Sequence, residues 1–262
     1  MNSVPPASLA FPVIIQRNSF GPRLAPHAGD VWRAMQDVVV DESSSVGWTP
    51  ERYVEANTMF VVRTMTVKHE REVKIGEELV GRTWPSRARR QMLFTRQVRL
   101  FSKATQPELI ASATQEWAYL SRDLEPIRAG KDIFDAFTIV EGHPDVELPS
   151  FVAEANQKQH VFDFTTWYGW MDPHGHANHA AYVDYCDEGI SRVVAEEGGN
   201  PHGLVPVAET VHFRAAIGPA ALITVETTKA GHSHGGSVHV YKHRILTGEQ
   251  VCATATTLRR LT

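Results

Sequence analysis

Two segments of this chain repeat one another at a fixed spacing of 142 residues, so whatever it folds into must be built twice. The first copy reads V-K-I-G-E-E-L-V-G-R-T-W (Val73 to Trp84), then L-F-T-R-Q-V-R-L-F, then I-A-S-A-T-Q-E-W-A-Y-L (Ile110 to Leu120). The second reads A-A-I-G-P-A-A-L-I-T-V-E-T-T, then S-V-H-V-Y-K-H-R-I, then V-C-A-T-A-T-T-L-R-R-L (Val251 to Leu261). One offset superposes Ile75 on Ile217, Gly76 on Gly218, Ala111 on Ala253, Ala113 on Ala255 and Thr114 on Thr256. Each half opens with a strand (Pro12 to Asn18; His160 to Tyr168) and continues into a helical stretch (His27 to Val46; Ala177 to Glu197). Alternating strands follow, such as Phe94 to Ser102 and Ser237 to Ile245. A strand, a long helix and an antiparallel meander make an α+β pattern. Ala177, Ala180 and Ala181 suit a central helix closely wrapped by a curved sheet. The expected division is 1–121, a linker over 122–158 with a short helix near Ile133 to Phe137, and 159–262.

The chemistry is concentrated in Asp172 to Tyr182, D-P-H-G-H-A-N-H-A-A-Y, which places a carboxylate, three imidazoles and a carboxamide around one glycine. A helix beginning here would offer unpaired N–H groups and a partial positive charge to a carbonyl or oxyanion. The amides around Gly175 to Ala177 are therefore the expected carbonyl polarisers. A base beside that dipole can direct water at an ester or thioester. Glu188 adds a second carboxylate on the same helical stretch.

These residues carry a family resemblance. D-x-x-G-H-x-N-x-x-x-Y resembles the signature of hot dog thioesterases of the hydroxybenzoyl-CoA type. With Glu188 it is similar to the longer D-x-N-x-H-x-N-N-x-x-Y…E pattern of acyl-ACP thioesterases. Asp172, Gly175, His176, Asn178, Tyr182 and Glu188 match, whereas His174 and His179 stand where the longer pattern has Asn. In the first half, G-x-E-L-V-G-R-T-W and Q-E-W-A-Y-L resemble the first hot dog of the same family. The resemblance implies a double hot dog, two tandem antiparallel sheets each wrapped around a helix. It implies one thioester-hydrolysing site, in the second half, with the first half shaping the acyl pocket. Asp172 or Glu188 would act as base, and His176 and Asn178 would orient the water or the base. His174, Gly175 and Tyr182 would support them. Where plant members have a cysteine downstream of the motif, this chain has Ile217, so a cysteine nucleophile is not expected.

Simpler readings stand beside these. An Asp before a helix is commonly a cap or turn residue, and Glu188 reads equally as an exposed helix residue. H-x-H-x-x-H lacks the Cys or carboxylate partners of a zinc site, so neither a metal nor another cofactor is expected. Cys186 and Cys252 read as small apolar residues. His232, His234, His239 and His243 alternate along a hairpin and read as a solvated strand face, with His239, Tyr241 and His243 on one side. Arg82, Arg87, Arg89, Arg90, Arg96 and Arg99 form a run that either solvates a sheet or docks an anionic carrier; Arg87, Arg89 and Arg90 are the candidates for docking.

The remaining bounds are consistent with such an enzyme. The chain has 262 residues, 42% of them apolar, with a net charge of −4, which argues against a globally basic nucleic-acid binder. No apolar run approaches a membrane span, and the first residues lack the pattern of an export signal. Two cysteines cannot frame a disulfide scaffold, which points to the cytoplasm. The expected substrate is an acyl-CoA or acyl carrier protein thioester, with no nucleic-acid or membrane partner, in a monomeric pseudo-dimer or a homodimer. Two rivals remain open: a hot dog hydratase or dehydratase, whose D-x-N-P-x-H spacing differs from Asp172 to His176, and a non-catalytic acyl-thioester binding module.

Overall fold

The computed structural model describes residues 4–5, 8–155 and 158–262. The chain divides into two compact units, one formed by Val31–Val146 with the segment ending at Gln16, the other by Arg17–Asp30 and Glu147–Thr262. Each is an antiparallel sheet wrapped around one long helix, the tandem hot dog arrangement expected from the repeat.

The first unit contains β1 (Leu9–Val13), all of α1 (Ala28–Ser45) from Val31 onward, α2 (Pro50–Glu55), β2 (Thr58–His69), β3 (Leu79–Arg89), β4 (Leu93–Ser102), β5 (Leu109–Ser121) and α3 (Lys131–Ala136). Its strands lie in the order β1-β3-β4-β5-β2. On α1, Val31, Trp32, Met35, Val38 and Val39 are buried, the spacing of a single apolar stripe. Gly81 in β3 lets the helix approach, since a Cβ there would collide with Val38. Glu42 of α1 meets Arg96 of β4 at 2.7 Å, a buried ion pair between helix and sheet. The chain after β5 does not leave this unit as a linker at once. Ala129, Ile133 and Phe137 pack with Trp48, Phe94 and Tyr119, and Val146 N–H donates to Thr114 Oγ1 at 2.7 Å.

The second unit contains β6 (Val152–Ala153), β7 (Gln159–Thr165), α4 (Ala181–Glu196), β8 (Leu204–Phe213), β9 (Leu222–Ser233), β10 (Val238–Thr247) and β11 (Gln250–Leu261). The order is β8-β11-β10-β9, with β6 and β7 both pairing β9. Here the close approach is made from the helix, where Gly189 faces Thr227 of β9. Among the described residues, no helix is long and apolar enough to cross a membrane.

Three local expectations are corrected. The first strand is Leu9–Val13, and the residues after it enter a 3-10 turn at Arg17–Ser19. The second long helix starts at Ala181, four residues beyond the expected Ala177. The face holding Tyr241 and His243 is buried, because it packs beneath α4. His243 exchanges hydrogen bonds with Thr227 Oγ1 at 3.0 Å and Thr257 Oγ1 at 2.9 Å. Burial, followed by the Arg259 charge, pushes its pKa down to about 3.

Candidate active site

The motif occupies a tight turn between β7 and α4. Thr166 anchors its entry, donating its N–H to Ala221 O at 3.0 Å and its hydroxyl to Gly218 O at 2.9 Å. A 3-10 turn at Tyr168–Trp170 follows, and a bridge from Met171 to Ala177 closes the loop. Inside it, Asp172 N–H donates to His176 O at 2.7 Å and Gly175 N–H to Asp172 O at 2.9 Å. Gly175 has φ +77°, where a Cβ would be strained.

Asp172 builds this turn with its side chain. Oδ1 accepts the N–H of His174 at 2.8 Å and of His176 at 3.3 Å. Oδ2 accepts no hydrogen bond among the described residues. The carboxylate is thus fixed through one oxygen, an Asx-type turn.

The expected amide donors are used elsewhere. Besides the bonds of Gly175 and His176, Ala177 N–H donates to Ile217 O at 2.8 Å and Asn178 N–H to Trp170 O at 2.9 Å. Helix α4 begins later, and Asn178 leads into it: its Oδ1 accepts Ala180 N–H at 3.0 Å. The Asn178 carboxamide oxygen thus takes part in the backbone turn that leads into the helix. His174 is exposed and His176 half-buried, which leaves two imidazoles on the turn. No group of three or more His, Cys, Asp or Glu among the described residues is placed to hold a metal ion.

Tyr182 is buried one residue into α4. Burial, then Cys252 and Tyr185, push its pKa far up, against a hydrogen bond at the Ile217 backbone; Asp172 adds to the rise. The phenol therefore stays neutral beside the carboxylate. Trp170 stacks on Trp167 with centroids 5.2 Å apart, and Trp167 and Tyr168 are 69% and 87% exposed.

Glu188 does not join this group. Its side chain is 51% exposed and pairs with Arg192 at 2.7 Å along the helix. The neighbouring Asp187 turns inward instead, where Arg259 Nε donates to it at 2.8 Å and Arg259 Nη1 to Glu209 at 2.5 Å. Arg259 is fully buried. Sequence reasoning passed over this triad. Its one signal is that Glu209 shares strand parity with the inward Val211 and Phe213.

The arginine run is also partly consumed. Arg96 and Arg99 are buried, and Arg99 donates to Val98 O at 2.8 Å and Ala113 O at 3.0 Å. Arg82 donates to Ser8 O at 3.0 Å. Arg87 pairs with Asp145 at 2.9 Å, and Arg89 pairs with Glu116. Of the three docking candidates, only Arg90 lacks a carboxylate partner among the described residues; it sits at φ +54° in the β3–β4 turn.

The first half carries a second copy of the loop. Phe20 bridges Pro26, Gly21 N–H donates to Ala25 O at 3.0 Å, and Leu24 N–H to Gly21 O at 2.9 Å. Residue for residue, Gly21 stands for Asp172, Leu24 (φ +58°) for Gly175, Ala25 for His176 and His27 for Asn178. The loops match at an offset of 151 and the strands at 142; the α1–β2 connection, which holds α2 (Pro50–Glu55) and is five residues longer than the α4–β8 connection, takes up more than half of the difference.

Residues 44–103 match the Thioesterase superfamily model and residues 166–261 the Thioesterase-like superfamily model, one in each half and together more than half of the chain. The chain belongs to the thioesterase superfamily. Solved structures of this superfamily share its fold along the whole length. The 12:0-ACP thioesterase from Umbellularia californica is 17% identical, with 99% of this chain and 100% of that chain covered and a TM-score of 0.77. An acyl-ACP thioesterase from Bacteroides thetaiotaomicron is 13% identical, covering 97% and 98%, with a TM-score of 0.74. A provisionally assigned oleoyl thioesterase from Lactobacillus plantarum is 15% identical, covering 97% and 96%, with a TM-score of 0.80. No curated protein sequence matches this thioesterase-superfamily member.

Proposed function

We propose that the protein hydrolyses an acyl thioester of coenzyme A or acyl carrier protein to the free acid and thiol, with Asp172 as general base. The observation that carries this reading is the asymmetry of the Asp172 carboxylate. Oδ1 is held by two backbone N–H groups, and Oδ2 is open to a water. In the proposed step Oδ2 removes a proton as the water oxygen attacks the thioester carbonyl carbon. Collapse of the tetrahedral intermediate breaks the C–S bond, and the departing thiolate takes up the proton that Oδ2 removed, which restores the Asp172 carboxylate. Because the amides of 175–177 are bonded within the fold, stabilisation of the oxyanion falls to the His174 and His176 imidazoles. Tyr182 supports the turn through the Ile217 backbone. The two buried free thiols, Cys186 and Cys252, fit a reducing compartment.

Thiol release from short, long and aromatic acyl-CoAs and from acyl carrier protein thioesters tests the reading on wild type and Asp172→Asn. The Asn side chain keeps an oxygen for both amides but removes the base. Turnover should fall by about 10²- to 10⁴-fold without a change in Tm. A variant that retains full turnover would reduce Asp172 to a turn residue. Substrate binding with no wild-type turnover would favour a binding module.

A further inference from the structure

We propose that the face of the second sheet opposite α4 holds the phosphate-bearing end of a coenzyme A thioester, with Lys242 and Arg244 as its cations. This rests on the thioesterase reading above and narrows its substrate. The strand register sets two rows side by side on that face. His212 stands opposite Thr254, which stands opposite Arg244, and Arg244 opposite Glu226. In the next row Thr256 stands opposite Lys242, and Lys242 opposite Thr228. Together with Gln159 they line a cavity of about 270 Å³.

Its lining suits phosphate. Threonine hydroxyls supply short, rotatable donors between the two cationic side chains. Arg244 shares its charge with Glu226 at 2.7 Å. Lys242 is exposed and has no ion pair among the described residues, so this hollow carries excess positive charge on a chain of net charge −4. A compact ammonium is an effective point-charge partner for phosphate. A hollow of this size fits a nucleotide phosphate rather than the broad face of a carrier protein.

The reach is also appropriate. His212 lies five residues before Ile217, whose carbonyl holds the Ala177 N–H of the motif turn. That is at most roughly 17 Å of extended chain, a span comparable with an extended pantetheine arm. The nucleotide end and the thioester of one molecule can therefore engage this face and Asp172 together.

The test uses adenosine 3′,5′-bisphosphate as probe, titrated calorimetrically into wild type, Lys242→Ala and Lys242→Glu at low salt. Alongside it, kcat/KM is compared for an acyl-CoA and the same acyl-pantetheine. The probe should bind wild type, bind Lys242→Ala about tenfold more weakly and bind Lys242→Glu more weakly still. The advantage of acyl-CoA over acyl-pantetheine should shrink by a similar factor and fall with added salt. Absence of probe binding, or binding that Lys242→Glu leaves intact, overturns the proposal even if thioesters are hydrolysed. Lys242-dependent probe binding without hydrolysis of any thioester upholds the phosphate site and rejects the hydrolase reading instead.

Discussion

The imidazole of His27 fills the space that a side chain on Gly21 would enter, with Cε1 2.9 Å from the Cβ position. Gly21 is the counterpart of Asp172, so the first-half loop has no carboxylate there, and His27 occupies the place one would take. Pro26, the counterpart of Ala177, also lacks the amide hydrogen. Adding Gly21→Asp to an Asp172→Asn background should therefore restore no thiol release. Recovery above about one per cent of wild-type turnover would show a second competent loop.

Glu188 lies on the solvent side of α4, in an i,i+4 pair with Arg192. Glu188→Gln should leave kcat/KM within about twofold and lower stability by no more than about 0.5 kcal/mol. A drop in kcat comparable with that of Asp172→Asn, in the same thiol-release assay, would return Glu188 to the site.

Arg259 is the cation between Asp187 and Glu209 in the core of the second unit. Arg259→Ala strands two buried carboxylates and should cost about 3–5 kcal/mol in urea unfolding. A matched Arg259→Met with Asp187→Leu and Glu209→Leu should recover most of that loss. Equal instability of the single and triple variants would mean that packing, rather than charge, carries the site.

His243 makes stability depend on pH. Its folded pKa, about 3, lies below the ordinary 6.5, so the unfolded chain binds the proton more readily. Its contribution is complete above pH 6.5 and declines by about 1.4 kcal/mol per unit as pH falls towards 3. Asp187, whose pKa burial raises, changes stability in the opposite sense at low pH. The difference between wild type and His243→Gln across pH 4–7 isolates the histidine. A constant difference would mean that His243 takes up its proton within the folded protein.

Gly175→Ala forces a Cβ onto a backbone at φ +77°, at a cost of about 1–2 kcal/mol. Part of that strain should be relieved by shifting the turn that holds Asp172, so kcat should fall while substrate KM changes little. An Ala variant with wild-type kcat would show that the turn tolerates the strain without moving the carboxylate.

Much of the architecture is legible in the sequence because side-chain parity and repeat spacing are properties of the chain itself. Ile75 over Ile217 and Ala113 over Ala255 suffice to mark the two sheets. The motif is legible too, since Asp172, Gly175 and Asn178 are residues that turns select for backbone reasons. What each polar atom does is less accessible. The amides of 175–177 look like donors until their acceptors, Asp172 and Ile217, are in place. The inward turn of Asp187, and not of adjacent Glu188, is decided by the helix phase that packing beneath the sheet imposes. Arg87 and Arg89 look like a docking patch because their partners, Asp145 and Glu116, lie far along the chain.

The two loops share the main-chain hydrogen bonds that close each turn, although Pro26 cannot repeat the Ala177–Ile217 bond, and they differ at nearly every side chain, with Leu24 held at φ +58°. Geometry of this kind is inherited separately from chemistry. A loop whose shape resides in its peptide groups can differ in its side chains and still fold. Each difference in the first-half loop, such as Pro26 or His27, raises the number of simultaneous changes that a symmetric two-site protein would require.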